Sequence, residues 1–443
     1  MKASLILFVI FSTLFSCTTN KGNNVGQTII TKWQGNKHSA ISITYDDGII
    51  NQFTVARPIM NRLGLPATFY VITGKIEGSG EGKFIGRTPG EIIVETATVK
   101  TNAENFFERA SYIAFSGTDE AVTYHSRAGS LFEAGKVAEA YELIDEGYEK
   151  LRKGELINTN AIIFHDNVED TTTWADLRTY GEEGHEIASH TVTHPRLAVL
   201  DEANLLYELE QSKADIQQFM GERFTFSAEC PYGTEDERVM KYAHALYPSL
   251  RNRMPAPYLE ELNRSSQQQP GASTKEYVQW QRGPLTDVSM EVMKSWVDTC
   301  LAHDNIWLVL VFHGVDGLGW EPKTGEELEA YFHYIKSKED NLWVATFADV
   351  TKYIRERKNT VVNSKVGKDK IQVSISSELD TVVYDVPITL KTRVPAAWQT
   401  ASLYQGNKKE NAQLLPVQKD AIGSYVLYSV QPVGGDLFIS ERK

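Results

Sequence analysis

The stretch AISITYDDG at residues 40–48 joins a run of apolar and β-branched residues to two adjacent acids and a glycine. The run predicts a buried β-strand that ends at Asp46. Apolar side chains then recur at helical spacing over residues 51–63, Gly64 can end that helix, and residues 67–72 predict a second buried strand. A strand, a helix and a second strand in this order are typical of a parallel sheet or barrel, so the predicted fold class is α/β.

The same alternation resumes in the second half of the chain. The pattern predicts further elements at residues 174–183 (helix), 185–189 (strand), 205–220 (helix), 224–227 (strand), 235–246 (helix), 290–303 (helix), 307–312 (strand), 326–336 (helix), 342–347 (strand) and 349–357 (helix). We therefore assign one α/β region to residues 38–358.

Three other segments differ in character. An insert at about 74–160 carries short predicted strands around residues 91–98, followed by a helix whose apolar face predicts packing rather than ligand binding. The polar residues 255–273 predict a surface loop. Short alternating segments over residues 366–443 predict a small C-terminal β-sandwich.

Two histidines lie four residues apart in the segment SHTVTH, residues 189–194, directly after a predicted strand. At this spacing His190 and His194 would lie on one face of a helical turn and could bind one cation. Two imidazoles with one carboxylate leave a position open for water, as catalytic metal sites do.

A third cluster, LVFHG at residues 310–314, places His313 at the end of an apolar strand. Gly314 gives the backbone after His313 conformational freedom, so this histidine is well placed to donate a proton. It could equally be a structural core histidine. All three clusters follow predicted strands, and parallel barrels assemble their sites at the carboxyl ends of strands. We therefore expect them to meet.

Together the three clusters resemble the polysaccharide deacetylase family, also called the NodB-homology family of carbohydrate esterases. The resemblance covers about residues 38–358 without the insert, and Pro231-Tyr232-Gly233 resembles the end of a further family motif. It implies a distorted (β/α) barrel that binds one divalent metal ion, with zinc the expected ion. It also implies an acetylated glycan as substrate.

The resemblance also assigns roles to single residues. It implies that Asp46 is the general base, that His313 is the general acid and that the backbone N–H of Tyr232 helps to stabilise an oxyanion. The implied metal ligands are Asp47, His190 and His194.

The chain departs from the family pattern in two places. Glu229 stands where the family commonly has an arginine that pairs with the base, and a second carboxylate there would raise the pKa of the base if the two came close. Arg251, Arg253 or Arg282 could replace that arginine. The Asp-and-Trp motif of the family has no match near Gly283.

The overall composition limits the partners. With 443 residues, 42% of them apolar and 23% charged, the chain is long enough for two or three globular domains. Its formal net charge of -13 argues against nucleic acid and fits a neutral or weakly charged ligand such as a glycan.

The N-terminus predicts export. Lys2 precedes an apolar run over residues 5–15 that is too short to span a bilayer, which predicts a signal peptide over residues 1–16. Cys17 directly follows a small residue and resembles a bacterial lipobox, which implies a lipid anchor at its thiol. The expected location is therefore the periplasm or the cell surface, with residues 17–37 as tether and lead-in. An ordinary signal peptide with an incidental cysteine is the alternative.

Two other functions remain open. A catalytically weak or inactive glycan-binding surface lipoprotein would keep the fold without turnover, since fold alone does not imply activity. Another metal hydrolase would more often carry the ligands of two metals. For the deacetylase, the insert should emerge at the rim of the site and narrow it, with Trp320 as a stacking surface for a sugar ring.

Overall fold

The computed structural model describes residues 24–116, 119–156, 172–233, 236–406, 411–432 and 435–442. The predicted signal peptide, Cys17, the far end of the insert at about residue 160 and the helix start at residue 235 lie outside them. Within the described ranges, every helix is too short or too polar to cross a membrane.

The strands and helices alternate over most of the chain. The strands are β1 (Thr28–Ile30), β2 (Ser39–Tyr45), β3 (Ala67–Val71), β4 (Glu186–Ser189), β5 (Ser227–Ala228), β6 (Ser249–Leu250), β7 (Leu259–Leu262), β8 (Tyr277–Arg282), β9 (Ile306–Phe312), β10 (Leu342–Val344), β11 (Thr360–Val366), β12 (Lys370–Ser377), β13 (Ile388–Arg393), β14 (Thr400–Gln405), β15 (Gln413–Pro416), β16 (Gln418–Lys419), β17 (Ser424–Val430) and β18 (Gly435–Glu441). The helices are α1 (Arg57–Leu63), α2 (Pro89–Glu95), α3 (Phe106–Ala114), α4 (Asp119–Glu133), α5 (Val137–Lys153), α6 (Trp174–Glu182), α7 (Glu202–Met220), α8 (Glu237–Leu246), α9 (Met290–Ala302), α10 (Gly325–Lys336) and α11 (Phe347–Asn359).

A curled parallel sheet forms the centre of the α/β region. Its strands follow the order β6-β5-β4-β3-β2-β9-β8-β7, and β10 pairs with the first half of β2. Every residue of β2 and β9 is buried, because helices cover one face of the sheet and the curled interior lies on the other. This architecture confirms the predicted distorted (β/α) barrel.

The insert is mostly helical, as predicted, but the prediction of short strands at residues 91–98 was wrong. Residues 89–95 form α2 because Pro89 suits a first helical turn and Thr88 and Glu91 form a reciprocal capping box. Helices α2 to α5 share a core of their own.

Two other local predictions also need correction. The segment 255–273 contains β7, an edge strand whose two central glutamates hid it in a polar stretch. The strand predicted at residues 224–227 begins only at Ser227, because Glu222–Phe224 form a 3₁₀ turn.

The C-terminal region forms two antiparallel sheets, with the orders β1-β13-β17-β16 and β11-β12-β18-β14-β15. Apolar side chains of both sheets, including Val373 from one and Leu390 from the other, share one core. Strand β1 comes from the lead-in, and Thr28 pairs with Thr392 of β13. The lead-in therefore belongs to this β-rich region, which its sequence did not predict.

Candidate catalytic and metal-binding centre

The carboxyl ends of five strands of the parallel sheet bring the chemical groups together. Asp46 follows β2, His190 follows β4, Glu229 follows β5, Arg251 follows β6 and His313 follows β9. The ladder hydrogen bonds continue one residue past the strands, for example from the Asp46 N–H to the Phe312 carbonyl at 3.0 Å. The side chains are therefore placed by the rigid sheet.

The two adjacent acids face different partners, as predicted. Asp46 is 2% exposed, and Arg251 donates hydrogen bonds of 2.6 and 2.7 Å to its two carboxylate oxygens. His313 Nε2 lies 3.3 Å from Asp46 Oδ2. Burial alone would raise the pKa of Asp46, but the charge of Arg251 outweighs it with the help of His313, so this pKa lies well below its usual range.

Of the three candidate arginines, Arg251 is the one that replaces the guanidinium group missing at position 229. Its Nη2 lies 3.0 Å from Glu229 Oε1, which also accepts a hydrogen bond of 2.8 Å from Asn252. Burial raises the pKa of Glu229 to about 7. The guanidinium group that the family motif would supply at position 229 thus comes from the next strand of the sheet.

The other two candidate arginines contact different groups. Arg253 pairs with Glu237. Arg282 donates to the backbone carbonyls of Gln281, Arg264 and Ser266 at 3.1 to 3.5 Å.

Asp47, His190 and His194 form a three-residue cluster, as predicted. Asp47 Oδ1 lies 3.6 Å from His190 Nε2 and 3.4 Å from His194 Nε2, and one ligand atom from each residue lies within 4.8 Å of the others. Asp47 has a φ of 76°, and Gly48 one of 66°. This left-handed turn directs the second carboxylate away from Asp46.

Residues 190–194 form an irregular loop, which we call the histidine loop, so the predicted helical turn was wrong. Thr191 and His194 have φ values of 67° and 62°, which no α-helix contains. The buried carboxylate of Glu208 on α7 accepts hydrogen bonds from the N–H groups of Val192 at 2.8 Å and Thr193 at 2.9 Å. Long-range contacts to α7 thus replace the helical hydrogen bonds and bring the two imidazoles together.

The chemistry of the cluster fits a divalent cation. His190 Nδ1 lies 3.0 Å from the Glu229 carbonyl oxygen, which can only accept, so Nδ1 carries the proton and Nε2 keeps its lone pair toward Asp47. Burial lowers the pKa of His190 to about 4 and that of His194 to about 3, so both rings are neutral at pH 7. Two neutral imidazoles and one carboxylate are a common ligand set of catalytic zinc.

Tyr232 and Trp320 are exposed aromatic residues that contact two histidines of this centre. Tyr232 has a φ of 61°, and its ring lies 4.8 Å from that of His194. Trp320 is 51% exposed, and its ring lies edge-on at 4.7 Å from that of His313. Both aromatic side chains are accessible from solvent at the rim.

Sequence reasoning missed two residues that hold the centre in place. Glu208 is an acid on the buried face of α7, a signal that the helical periodicity contained. Gln52 is fully buried, and its Nε2 donates to the backbone carbonyls of Asp46 at 2.5 Å and His313 at 2.8 Å. Nothing in the sequence near Gln52 distinguishes it from an ordinary polar residue of a helix.

The sequence model of the polysaccharide deacetylase family matches residues 129–247. This range contains the histidine loop, Glu208 and Tyr232. This part of the chain is therefore similar to polysaccharide deacetylases. Asp46 and His313 lie outside the matched range, and the sheet brings them to it.

Other proteins are similar to parts of this chain. A gellan lyase from Bacillus sp is 26% identical over 255 residues, which cover 54% of this chain and 10% of that protein. The chain thus spans about a tenth of the length of this curated relative.

Several solved structures are similar to this chain. One is a putative polysaccharide deacetylase from Mycobacterium smegmatis, which is 12% identical in sequence and has a TM-score of 0.36. The match covers 74% of this chain and 94% of that chain. The similar structures also include the Xyl-CE4 domain of a multidomain xylanase from the hindgut metagenome of Trinervitermes trinervoides, with 12% identity, 71% and 90% coverage, and a TM-score of 0.34.

Proposed function

We propose that this protein is a metal-dependent hydrolase that removes N- or O-linked acetyl groups from a carbohydrate. The observation that carries the proposal is the pair of adjacent acids, of which Asp46 contacts Arg251 and His313 while Asp47 faces two neutral histidines. These contacts support the proposed roles of Asp46 as the base and of Asp47 as a metal ligand.

Asp47, His190 and His194 would hold one divalent cation, which we propose is zinc. The cation would act as a Lewis acid on an acetyl carbonyl and would provide a nucleophilic water at neutral pH. Asp46 is ionised at neutral pH because Arg251 stabilises its charge. Its carboxylate can therefore accept a proton from the attacking water. The two hydrogen bonds from the Arg251 guanidinium group fix the orientation of this carboxylate.

The proton then needs a route to the leaving group. His313 Nε2 lies 3.3 Å from Asp46 Oδ2, and burial lowers the pKa of His313 against the opposing charges of Asp46 and Asp47. A neutral imidazole there can take the proton from Asp46 and pass it to the departing amine or alkoxide. The products are acetate and a free amino or hydroxyl group on the sugar.

The backbone N–H of Tyr232 is the proposed second donor to the oxyanion. Tyr232 has a left-handed backbone conformation, and its ring lies next to that of His194, one of the three residues of the cluster. A donor fixed by the backbone costs no reorganisation as charge develops on the carbonyl oxygen.

The proposal is tested by separating metal binding from turnover. Asp46→Asn should retain one tightly held divalent ion per chain and lose nearly all acetate release from acetylated glycans, because only the base is changed. His194→Ala should lose the ion as well. Metal analysis and acetate assays measure both, and an Asp46→Asn protein that turns over at the wild-type rate would refute the assignment.

A glycan-binding protein without turnover remains the alternative function. The carboxylate at position 229 and the C-terminal β-rich region favour this alternative. Arg251 opposes it, because it supplies a guanidinium group to Asp46 in place of the one that is missing at position 229. Binding of acetylated glycans by metal-loaded wild-type protein, with no acetate released from any of them, would favour this alternative.

A further inference from the structure

Two arginines lie at the carboxyl rim of the sheet next to the catalytic centre. Arg264 follows β7, and Arg282 is the last residue of β8, beside the strand that carries His313. We call Arg264 and Arg282 the arginine rim. Within the described part of the chain, neither makes an ion pair with a carboxylate, and Arg282 donates only to backbone carbonyls.

The arginine rim adjoins an exposed aromatic ring. The guanidinium carbon of Arg264 lies 5.7 Å from the centre of the Trp320 ring, which in turn contacts His313. A sugar that stacks on Trp320 would therefore have its substituents within reach of a guanidinium group and its neighbouring unit close to Asp46. Such a sugar would occupy a position next to the acetylated unit.

The charge of Arg264 reaches His313 of the catalytic centre. Burial is the main cause of the lowered pKa of His313, and the charge of Arg264 lowers it further. The chain as a whole carries a formal net charge of -13, which would repel a polyanion. Cations without carboxylate partners beside the site are the feature that would offset this repulsion locally.

We propose that the natural substrate is an acidic glycan, in which a carboxylate or sulfate group next to the acetylated unit binds the arginine rim against Trp320. This inference rests on the proposed deacetylase function. The planar guanidinium group matches both carboxylate and sulfate with two parallel hydrogen bonds. A neutral acetylated glycan offers no such partner.

The test compares one acetylated uronate-containing oligosaccharide before and after its carboxyl groups are reduced to primary alcohols. The acidic form should have a kcat/KM at least about tenfold higher, because charged hydrogen bonds at a partly exposed site stabilise by about 1.5 kcal/mol or more. A sulfated, acetylated oligosaccharide tests the other anion. Rising salt should lower kcat/KM for the acidic forms only.

Arg264→Gln should bring the ratio of kcat/KM between acidic and reduced substrates close to one. Arg178→Gln is the matched control, because Arg178 is also exposed and lies on helix α6. It removes the same charge and should keep the wild-type ratio. A wild-type enzyme that processes both substrates equally would overturn the acidic substrate and leave the deacetylase function intact.

Binding provides a readout that does not depend on turnover. Asp46→Asn protein should bind the acidic oligosaccharide more tightly than the reduced one in calorimetry, again by about tenfold or more. Equal affinities would overturn the inference. Acetate release from none of the substrates, combined with tighter binding of the acidic form, would instead refute the proposed catalysis alone.

Discussion

The guanidinium group of Arg251 is shared between two buried carboxylates, those of Asp46 and Glu229. A buried charge pair is costly to break, because the partner that remains is left in a poorly solvating environment. Arg251 keeps the pKa of Asp46 well below its usual range against the effect of burial, whereas burial still raises the pKa of Glu229 to about 7. Arg251 is thus a positioning residue, which keeps Asp46 ionised and correctly oriented.

Arg251→Gln should destabilise the protein by about 3–5 kcal/mol and shift the acid limb of its pH–activity profile upward. The shift follows because Asp46 loses the charge that lowers its pKa. Thermal unfolding and the pH dependence of kcat/KM measure the two effects. Glu229→Gln, which keeps the contact between Arg251 and Asp46, is the control and should leave the acid limb in place.

At the scale of elements, helix α7 holds the histidine loop. Glu208 on α7 accepts hydrogen bonds from Val192 N–H, Thr193 N–H and Thr193 Oγ1, the last at 2.6 Å. These bonds stabilise a loop that contains two residues in the left-handed region. The position of both imidazoles therefore depends on a helix that contributes no metal ligand of its own.

Glu208→Ala should weaken metal binding by about 10–100-fold, because partners that orient metal ligands contribute on this scale. Competition against a chelator measures the affinity, and circular dichroism checks that the fold persists. Glu210→Ala changes an exposed acid on the same helix and should bind metal like the wild type. Equal affinity of the Glu208 and Glu210 variants would contradict the role of Glu208.

At the scale of the whole molecule, the insert adjoins the rim of the site. His125 Nε2 on α4 accepts a hydrogen bond of 2.9 Å from the Arg196 N–H, and Arg196 pairs with Glu133 of the same helix at 2.6 Å. The Arg196 guanidinium carbon lies 4.5 Å from the centre of the Tyr232 ring. The insert thus contacts the chain directly after His194 and can form a wall of the substrate groove.

We predict that this wall favours short or branched acetylated oligosaccharides over a long crystalline chain such as chitin. Acetate release from an oligosaccharide series and from the intact polymer measures the preference. Rates that rise steadily with chain length and stay high on the polymer would contradict a narrowed groove.

The predicted lipid anchor lies in the N-terminal segment, at Cys17. Cys17→Ser removes the thiol that would be acylated, so the variant should move from the membrane fraction to the soluble fraction of a bacterial host. Immunoblotting of the two fractions measures this change. A variant that remains in the membrane fraction with its lipid would contradict the lipobox assignment.

Local sequence patterns are sufficient to predict the α/β barrel and the positions of Asp46, Asp47 and His313 in it. Apolar runs such as residues 40–45 and 307–312 predict buried strands from local composition alone, and the residue after a parallel strand must lie at its carboxyl rim. The sequence pattern alone therefore predicts that Asp46, Asp47 and His313 lie near one another.

Only the tertiary structure decided how these groups are held. Asp46 and Arg251 lie 205 residues apart, so no local pattern could distinguish Arg251 from Arg253 or Arg282. The histidine loop is irregular because Glu208 supplies hydrogen bonds that a helix would have formed within itself. Such contacts depend on which side chains the completed sheet brings together, and this information is spread over the whole chain rather than contained in any one segment.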